Sequence, residues 1–289
     1  MKITEGLGRA LFFVVGAPKS GTTWVQLMLN EHAAIDCAGE GHFTDWLLED
    51  VRGLLAKYNE RQAFNNAFVY DDDGYFSGFT GKDFNALARF VFLQQLRKRD
   101  LKPAIRFQGD KTPNYVYALN LLRGIFPEAR FICVMRDGRD AAASIIAQKM
   151  RLLRAETRRP YDTRTRRSDL ESFVRKWLEV TQLARDFDRA WPNRMITLRY
   201  ETLIRDPHKE IARAVRFLGA GHDVNQIAAC VAHGAFEKWS GGRAPGEADP
   251  DSFFRKGVTG DWLEFFSDDE QDYLTARLGK RLAEIGYRA

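Results

Sequence analysis

The segment that most constrains this chain is Leu11-Phe-Phe-Val-Val15, closed by Gly16 and followed by Ala-Pro-Lys-Ser-Gly-Thr-Thr-Trp24. Consecutive branched and aromatic residues read as a strand buried on both faces, the kind found inside parallel sheets. Trp24, Val25, Leu27, Met28 and Leu29 then mark a helix over Thr22–His32. The pattern recurs further on. Phe131–Met135 is a second buried strand, followed by a helix over Gly138–Met150. Met195–Leu198 is a third, with a helical Leu170–Ala190 before it and a helix near His208–Leu218 after it; Ala104–Phe107 is a candidate fourth. Strands alternating with helices predict an α/β fold, a single domain over residues 1–289 with a central parallel sheet flanked by helices. Three stretches read as irregular: the aromatic Ala63–Asp83, the basic Arg151–Arg167, and Ser240–Thr259, which has a basic pair near its end.

Composition narrows the class. With 289 residues, 45% of them hydrophobic, the chain can fill a sizeable core, so disorder is excluded. No apolar run approaches the roughly 20 residues of a membrane helix. The run Ala10–Ala17 follows the acidic Glu5 and lacks the cationic lead-in of a signal peptide. Cys37, Cys133 and Cys230 are far apart and outside metal spacing, which predicts neither a disulfide framework nor a zinc site, and a cytoplasmic setting. Lys and Arg exceed Asp and Glu by 44 to 39, which suits an anionic ligand without arguing for nucleic acid.

The loop Gly16–Trp24 specifies the anion. Glycine at 16 and 21 lets the backbone turn tightly and bring its amides close to a ligand. The next helix adds its unpaired N-terminal N–H groups and positive dipole end, Lys19 a full charge, and Ser20, Thr22 and Thr23 hydroxyl donors. This is a phosphate or sulfate site. It departs from the triphosphatase loop G-x-x-x-x-G-K-[ST], because Thr22 stands where the lysine belongs and Lys19 has moved inside the loop. No obvious magnesium-binding Asp ends Phe131–Met135, which runs straight into Arg136. An ATP-dependent kinase is therefore a secondary reading, and a catalytically inactive nucleotide-binding module another.

Pro18-Lys-Ser-Gly-Thr-Thr-Trp24 resembles the 5′-phosphosulfate loop of the sulfotransferases, which use 3′-phosphoadenosine 5′-phosphosulfate (PAPS). Arg136-Asp-Gly-Arg-Asp140 with Ser144 resembles the family's 3′-phosphate site, and Arg255-Lys-Gly-Val-Thr-Gly-Asp-Trp262 its C-terminal R-K-G-x-x-G-D-W signature in the cytosolic branch. The resemblance implies a P-loop-like phosphosulfate-binding loop at Pro18, Lys19, Ser20, Gly21, Thr22, Thr23 and Trp24. It implies a 3′-phosphate clamp of Arg136, Ser144, Arg255, Lys256 and Gly257, and an adenine held near Trp24, Phe236 and Tyr200. A planar guanidinium meets a phosphate with paired donors, and a base stacked on an aromatic ring gains about 1–3 kcal/mol.

Transfer further needs a base for the acceptor's proton. The K-T-H histidine of the cytosolic enzymes is missing, since that place reads Lys111-Thr112-Pro113. Glu40-Gly-His42-Phe-Thr-Asp45 instead resembles the E-x-H-F-F-D stretch of heparan-sulfate-type enzymes, with Thr44 departing from the second Phe. The resemblance implies Glu40 as base with His42 its partner or substitute, Asp45 a weaker candidate, and Lys19 and Lys111 near the transferring sulfonate. The expected reaction moves a sulfuryl group to a hydroxyl, with an amine the lesser alternative, on a small-molecule or glycan acceptor; no metal is called for. The aromatic Phe64, Phe68, Tyr70, Tyr75, Phe76 and Phe79 could line a pocket for a phenol or lipid-like alcohol, and Arg151–Arg167 could receive an anionic glycan.

Overall fold

The computed structural model describes residues 2–70, 74, 76–157 and 161–287. In chain order the elements are β1 (Ala10–Gly16), α1 (Thr22–Asn30), β2 (Ile35–Ala38), a π turn (Phe43–Leu47), α2 (Leu48–Val69), α3 (Gly81–Arg97) and β3 (Phe107–Lys111). A 3-10 turn (Pro113–Ala118), α4 (Leu119–Ile125), β4 (Arg130–Met135), α5 (Gly138–Thr157), α6 (Thr163–Ala190) and β5 (Met195–Arg199) follow. The chain continues through α7 (Tyr200–Arg205), α8 (Pro207–Leu218), α9 (Val224–His233), α10 (Phe236–Trp239), α11 (Trp262–Phe265) and α12 (Asp268–Glu284).

The five strands of the described residues form one parallel sheet in the order β2-β3-β1-β4-β5. The alternation within β1 explains why it reads as continuously apolar. Leu11, Phe13 and Val15 enter a core on one side of the sheet, together with residues of α3, α4, α5, α6 and α12. Phe12 and Val14 enter a second core on the other side, against α1, α8 and α9. Phe13 is the hub of an aromatic cluster, meeting Phe92 and Tyr115 edge-on and stacking on Phe131. Because β1 pairs with both β3 and β4, successive connections leave it toward opposite edges. The crevice at its C-terminal end is therefore a topological switch point, where open α/β sheets bind ligands.

Several expectations on the elements change. The fourth strand is Phe107–Lys111 rather than Ala104–Phe107. Gln108, Asp110 and Lys111 are buried polar residues, so the strand has no apolar run to reveal it. The edge strand β2, Ile-Asp-Cys-Ala, is too short to stand out. Within Ala63–Asp83, α2 continues to Val69 and α3 starts at Gly81 behind a Thr80–Asp83 capping box. Only Leu48 of α2 is fully buried, so the 3.6-residue apolar stripe that betrays a helix is absent. Of Arg151–Arg167, the first part forms the last turns of α5 and the end the first turn of α6, which Asp162 caps, while residues 158–160 lie outside the described residues.

Candidate functional site

The loop after β1 opens onto a cleft of about 390 Å³ at the switch point. Its geometry follows from local sterics. Gly21 caps α1 at φ 93°, and a Cβ there would stand 2.7 Å from Cδ2 of Tyr200. Lys19 adopts a left-handed φ of 67° although it is not glycine. Such backbone costs about 1–3 kcal/mol and persists only where the surroundings enforce it. It turns the Lys19 side chain into the cleft, with Nζ 4.2 Å from the centre of the Phe253 ring. No carboxylate pairs with it among the described residues. Burial, then the neighbouring Arg151, Arg136 and Arg255, push its ammonium down to about 8, with Glu40 opposing.

Arg136, at the end of β4, ties the two halves of the cleft together. It donates to the Lys19 carbonyl at 3.3 Å and to the Val258 carbonyl at 3.1 Å, and lies 4.3 Å over the Tyr200 ring. Asp140, one turn into α5, accepts from the amides of Gly260 and Trp262, docking the 255–262 segment on that helix. Within the segment the buried Asp261 carboxylate holds both Arg255 and Lys256, and Lys256 also reaches Glu264. Arg243 shapes the preceding loop by donating to the carbonyls of Ser240, Glu247, Phe254 and Arg255. Trp24 is fixed by its indole N–H to the Gly234 carbonyl at 2.7 Å, and Phe236 stands just beyond at the start of α10.

At the other end of the cleft lies a chain of ionisable groups. Lys111 Nζ is 2.7 Å from Glu40 Oε1, Glu40 Oε2 is 3.2 Å from His42 Nε2, and His42 Nδ1 is 2.8 Å from Asp45 Oδ2. Asn114 also donates to Asp45, at 3.3 Å. The imidazole stacks on Trp46 with ring centres 4.0 Å apart. His42 is a second non-glycine residue of positive φ, 48°, which lets its ring reach Glu40 and Asp45 together. Burial alone would raise the Glu40 carboxyl, but Lys111 and then His42 outweigh it and hold it below its ordinary value. Burial would lower His42; Asp45 and Glu40 prevail and raise it.

Of the residues the sequence singles out, Pro18, Lys19, Gly21, Thr22, Thr23, Trp24, Glu40, His42, Arg136, Ser144, Tyr200, Phe236, Arg255, Lys256 and Gly257 all line this one cleft. Two do not. Ser20 is fully buried behind the loop, and Lys111 lies under Glu40, with only 4% of its surface exposed. The aromatic segment does not line the cleft either. Phe64, Phe68 and Phe76 are on the exterior, and Tyr75 lies outside the described residues. Much of the basic stretch is engaged internally, Arg154 with Asp251, Arg166 with Glu270 and Arg167 with Glu171. Sequence reasoning passed over Asn114, Trp239, Phe253 and Phe254 on the cleft wall. Phe253-Phe254 immediately precedes Arg255 and was the available signal.

Comparison with known proteins bears on the family and the fold. The model of the Sulfotransferase family matches residues 12–223, from the first strand to the residue before α9, and the chain belongs to that family. It is similar to protein-tyrosine sulfotransferase 1 of Danio rerio, 26% identical over 211 residues that cover 72% of this chain and 52% of that protein. Protein-tyrosine sulfotransferase A of Caenorhabditis elegans is 24% identical over 208 residues, covering 71% and 49%. The chain thus spans about half the length of these curated relatives. In fold it is similar to mouse sulfotransferase SULT7A1 complexed with PAP, with a TM-score of 0.55 at 16% identity, covering 95% of this chain and 85% of that one. The sulfotransferase domain from the Synechococcus PCC 7002 olefin synthase gives a TM-score of 0.53 at 16% identity, covering 96% and 98%.

Proposed function

We propose that this chain transfers a sulfuryl group from PAPS to an acceptor hydroxyl and releases 3′,5′-ADP. The observation that carries the reading is the convergence of two separate cationic groups on one cleft, Lys19 with the loop amides and Arg136 with Ser144 and Arg255. The residues fit a doubly phosphorylated nucleotide. Arg136 Nε and Arg255 Nε, on the cleft wall, are buried polar atoms without a hydrogen-bond partner among the described residues, and such atoms cost about 1–3 kcal/mol when left unsatisfied.

When bound, the nucleotide supplies a sulfuryl group on a phosphate leaving group. In this reading Lys19 and the amides at the start of α1 hold the 5′ end and stabilise charge that grows there. Arg136, Ser144, Arg255 and the Gly257 segment hold the 3′-phosphate, and Trp24 and Phe236 flank the base. Glu40 accepts the acceptor's proton as the new S–O bond forms and the old one breaks. Its depressed pKa keeps it ionised at neutral pH, and Lys111 fixes the carboxylate in place. Positive charge comes from lysine, arginine and amide groups. Because the relatives are protein-tyrosine sulfotransferases, a phenolic hydroxyl is the first acceptor to try.

The test is transfer of label from ³⁵S-PAPS to a panel of tyrosine peptides, simple phenols, alcohols and glycans, with 3′,5′-ADP release measured alongside. Labelled product is expected. Tight 3′,5′-ADP binding without transfer to any acceptor would leave only a binding module, and magnesium-dependent ATP turnover would replace the reading with a kinase.

A further inference from the structure

Beneath the loop that carries Glu40 and His42 sits a carboxylate with no part in the chemistry above. Asp110 belongs to β3 and is 1% exposed. Its Oδ1 accepts the Thr112 hydroxyl at 2.6 Å, and that hydroxyl oxygen accepts the Gly41 amide at 3.1 Å. Gly41 lies so close to the carboxylate that a Cβ there would stand 2.3 Å from Asp110 Oδ2. Gly41 is also the residue between Glu40 and His42. The next strand residue, Lys111, grips Glu40 directly. The end of β3 therefore holds this loop at two adjacent points, one on its backbone and one on its carboxylate.

We propose that Asp110 is a positioning residue, which sets the placement of Glu40 and His42 by gripping the Gly41 backbone through Thr112. The inference rests on the reading that Glu40 and His42 handle the acceptor's proton. A neutral hydroxyl could anchor Gly41 alone, but a buried anion fixes which way that hydroxyl points. With the carboxylate ionised, Thr112 donates to Asp110 and keeps its lone pairs for Gly41.

Burial pushes the Asp110 carboxyl up to about 6, against the Thr112 hydroxyl, the Gly41 amide, Lys111 and His42. The other charged or titratable groups that feel it are Cys37 of β2, Arg99 and Tyr115. The ionised form is the positioning one. Its effect is complete well above pH 6 and is lost as the pH falls through that value.

Asp110→Asn preserves the shape and removes the charge. Turnover by this variant is expected to fall roughly 10- to 100-fold, the scale of a slightly misplaced catalytic group, with the Kd for 3′,5′-ADP unchanged. The wild-type fall in kcat near pH 6 should be missing from it. The His42 imidazole, followed by NMR, should titrate at lower pH in the variant, since a nearby anion has gone. Thr112→Ser should keep the wild-type kcat and Thr112→Val should lose turnover as Asp110→Asn does, without the His42 shift because the anion stays, a pair that decides the matter if Asp110→Asn does not fold. Wild-type kcat in both Asp110→Asn and Thr112→Val, with an unmoved His42 titration in Asp110→Asn, would overturn the proposal. If the wild type transfers nothing from PAPS, the functional reading has failed, and the His42 titration in Asp110→Asn alone decides: a shift supports the proposal and no shift overturns it.

Discussion

Raising the pH from 7 to 9 should loosen 3′,5′-ADP from this protein, with Lys19 as the cause. Its ammonium is held down to about 8 by burial and by Arg151, Arg136 and Arg255. In the free protein roughly 10% of Lys19 is neutral at pH 7 and about 90% at pH 9. A bound phosphate beside it compensates the surrounding cations and returns it toward the ordinary value of 10.5. Binding at pH 9 must then take up close to one proton, and affinity should fall about tenfold between pH 7 and pH 9, or ~1.4 kcal/mol. The ligand's phosphates are already largely ionised at pH 7, so they contribute little. Calorimetric titration in two buffers of different ionisation enthalpy reads both quantities. Lys19→Met should bind more weakly at pH 7 and lose the pH dependence. A wild-type affinity that is flat across this interval, with heats independent of buffer, would refute the reasoning.

Other substitutions separate the remaining roles. Glu40→Gln should lower transfer by roughly 10²- to 10⁴-fold while 3′,5′-ADP binds as before, because proton transfer and not nucleotide contact is removed; full activity would pass the base role to His42. Arg136→Ala should weaken 3′,5′-ADP by more than about 1.5 kcal/mol, the lower end for hydrogen bonds to a charged group; calorimetry giving an unchanged Kd would misplace the 3′-phosphate. Gly21→Ala forces a left-handed backbone on alanine and a methyl into Tyr200, so thermal unfolding should show a loss of about 1–3 kcal/mol or more; an unchanged midpoint would contradict the close packing of that loop.

The parts of this molecule legible from sequence are those whose physics is local. The strand Leu11–Val15 and the loop to Trp24 state their roles within fourteen residues, since glycine, lysine and hydroxyl groups must all fall inside one turn. Strand β3 was misplaced because it carries buried polar groups, which hydropathy reads as surface. The Lys111–Glu40 pair spans 71 positions, and only the parallel pairing of β2 with β3 brings it together. Spacing alone could not reveal that Lys111 supports the carboxylate from beneath and does not line the cleft. The folding of the 240–259 loop around Arg243 was hidden for a different reason, since its acceptors are backbone carbonyls that any sequence would supply.

The central claim is that two cationic groups grip opposite ends of one nucleotide, and comparing 3′,5′-ADP with 5′-AMP tests it most directly. The two ligands differ only in the 3′-phosphate assigned to Arg136, Ser144 and Arg255. Two charge-assisted hydrogen bonds to that group predict an advantage of at least about 3 kcal/mol, or more than 100-fold in Kd, for 3′,5′-ADP. Equal dissociation constants for the two nucleotides would contradict the account.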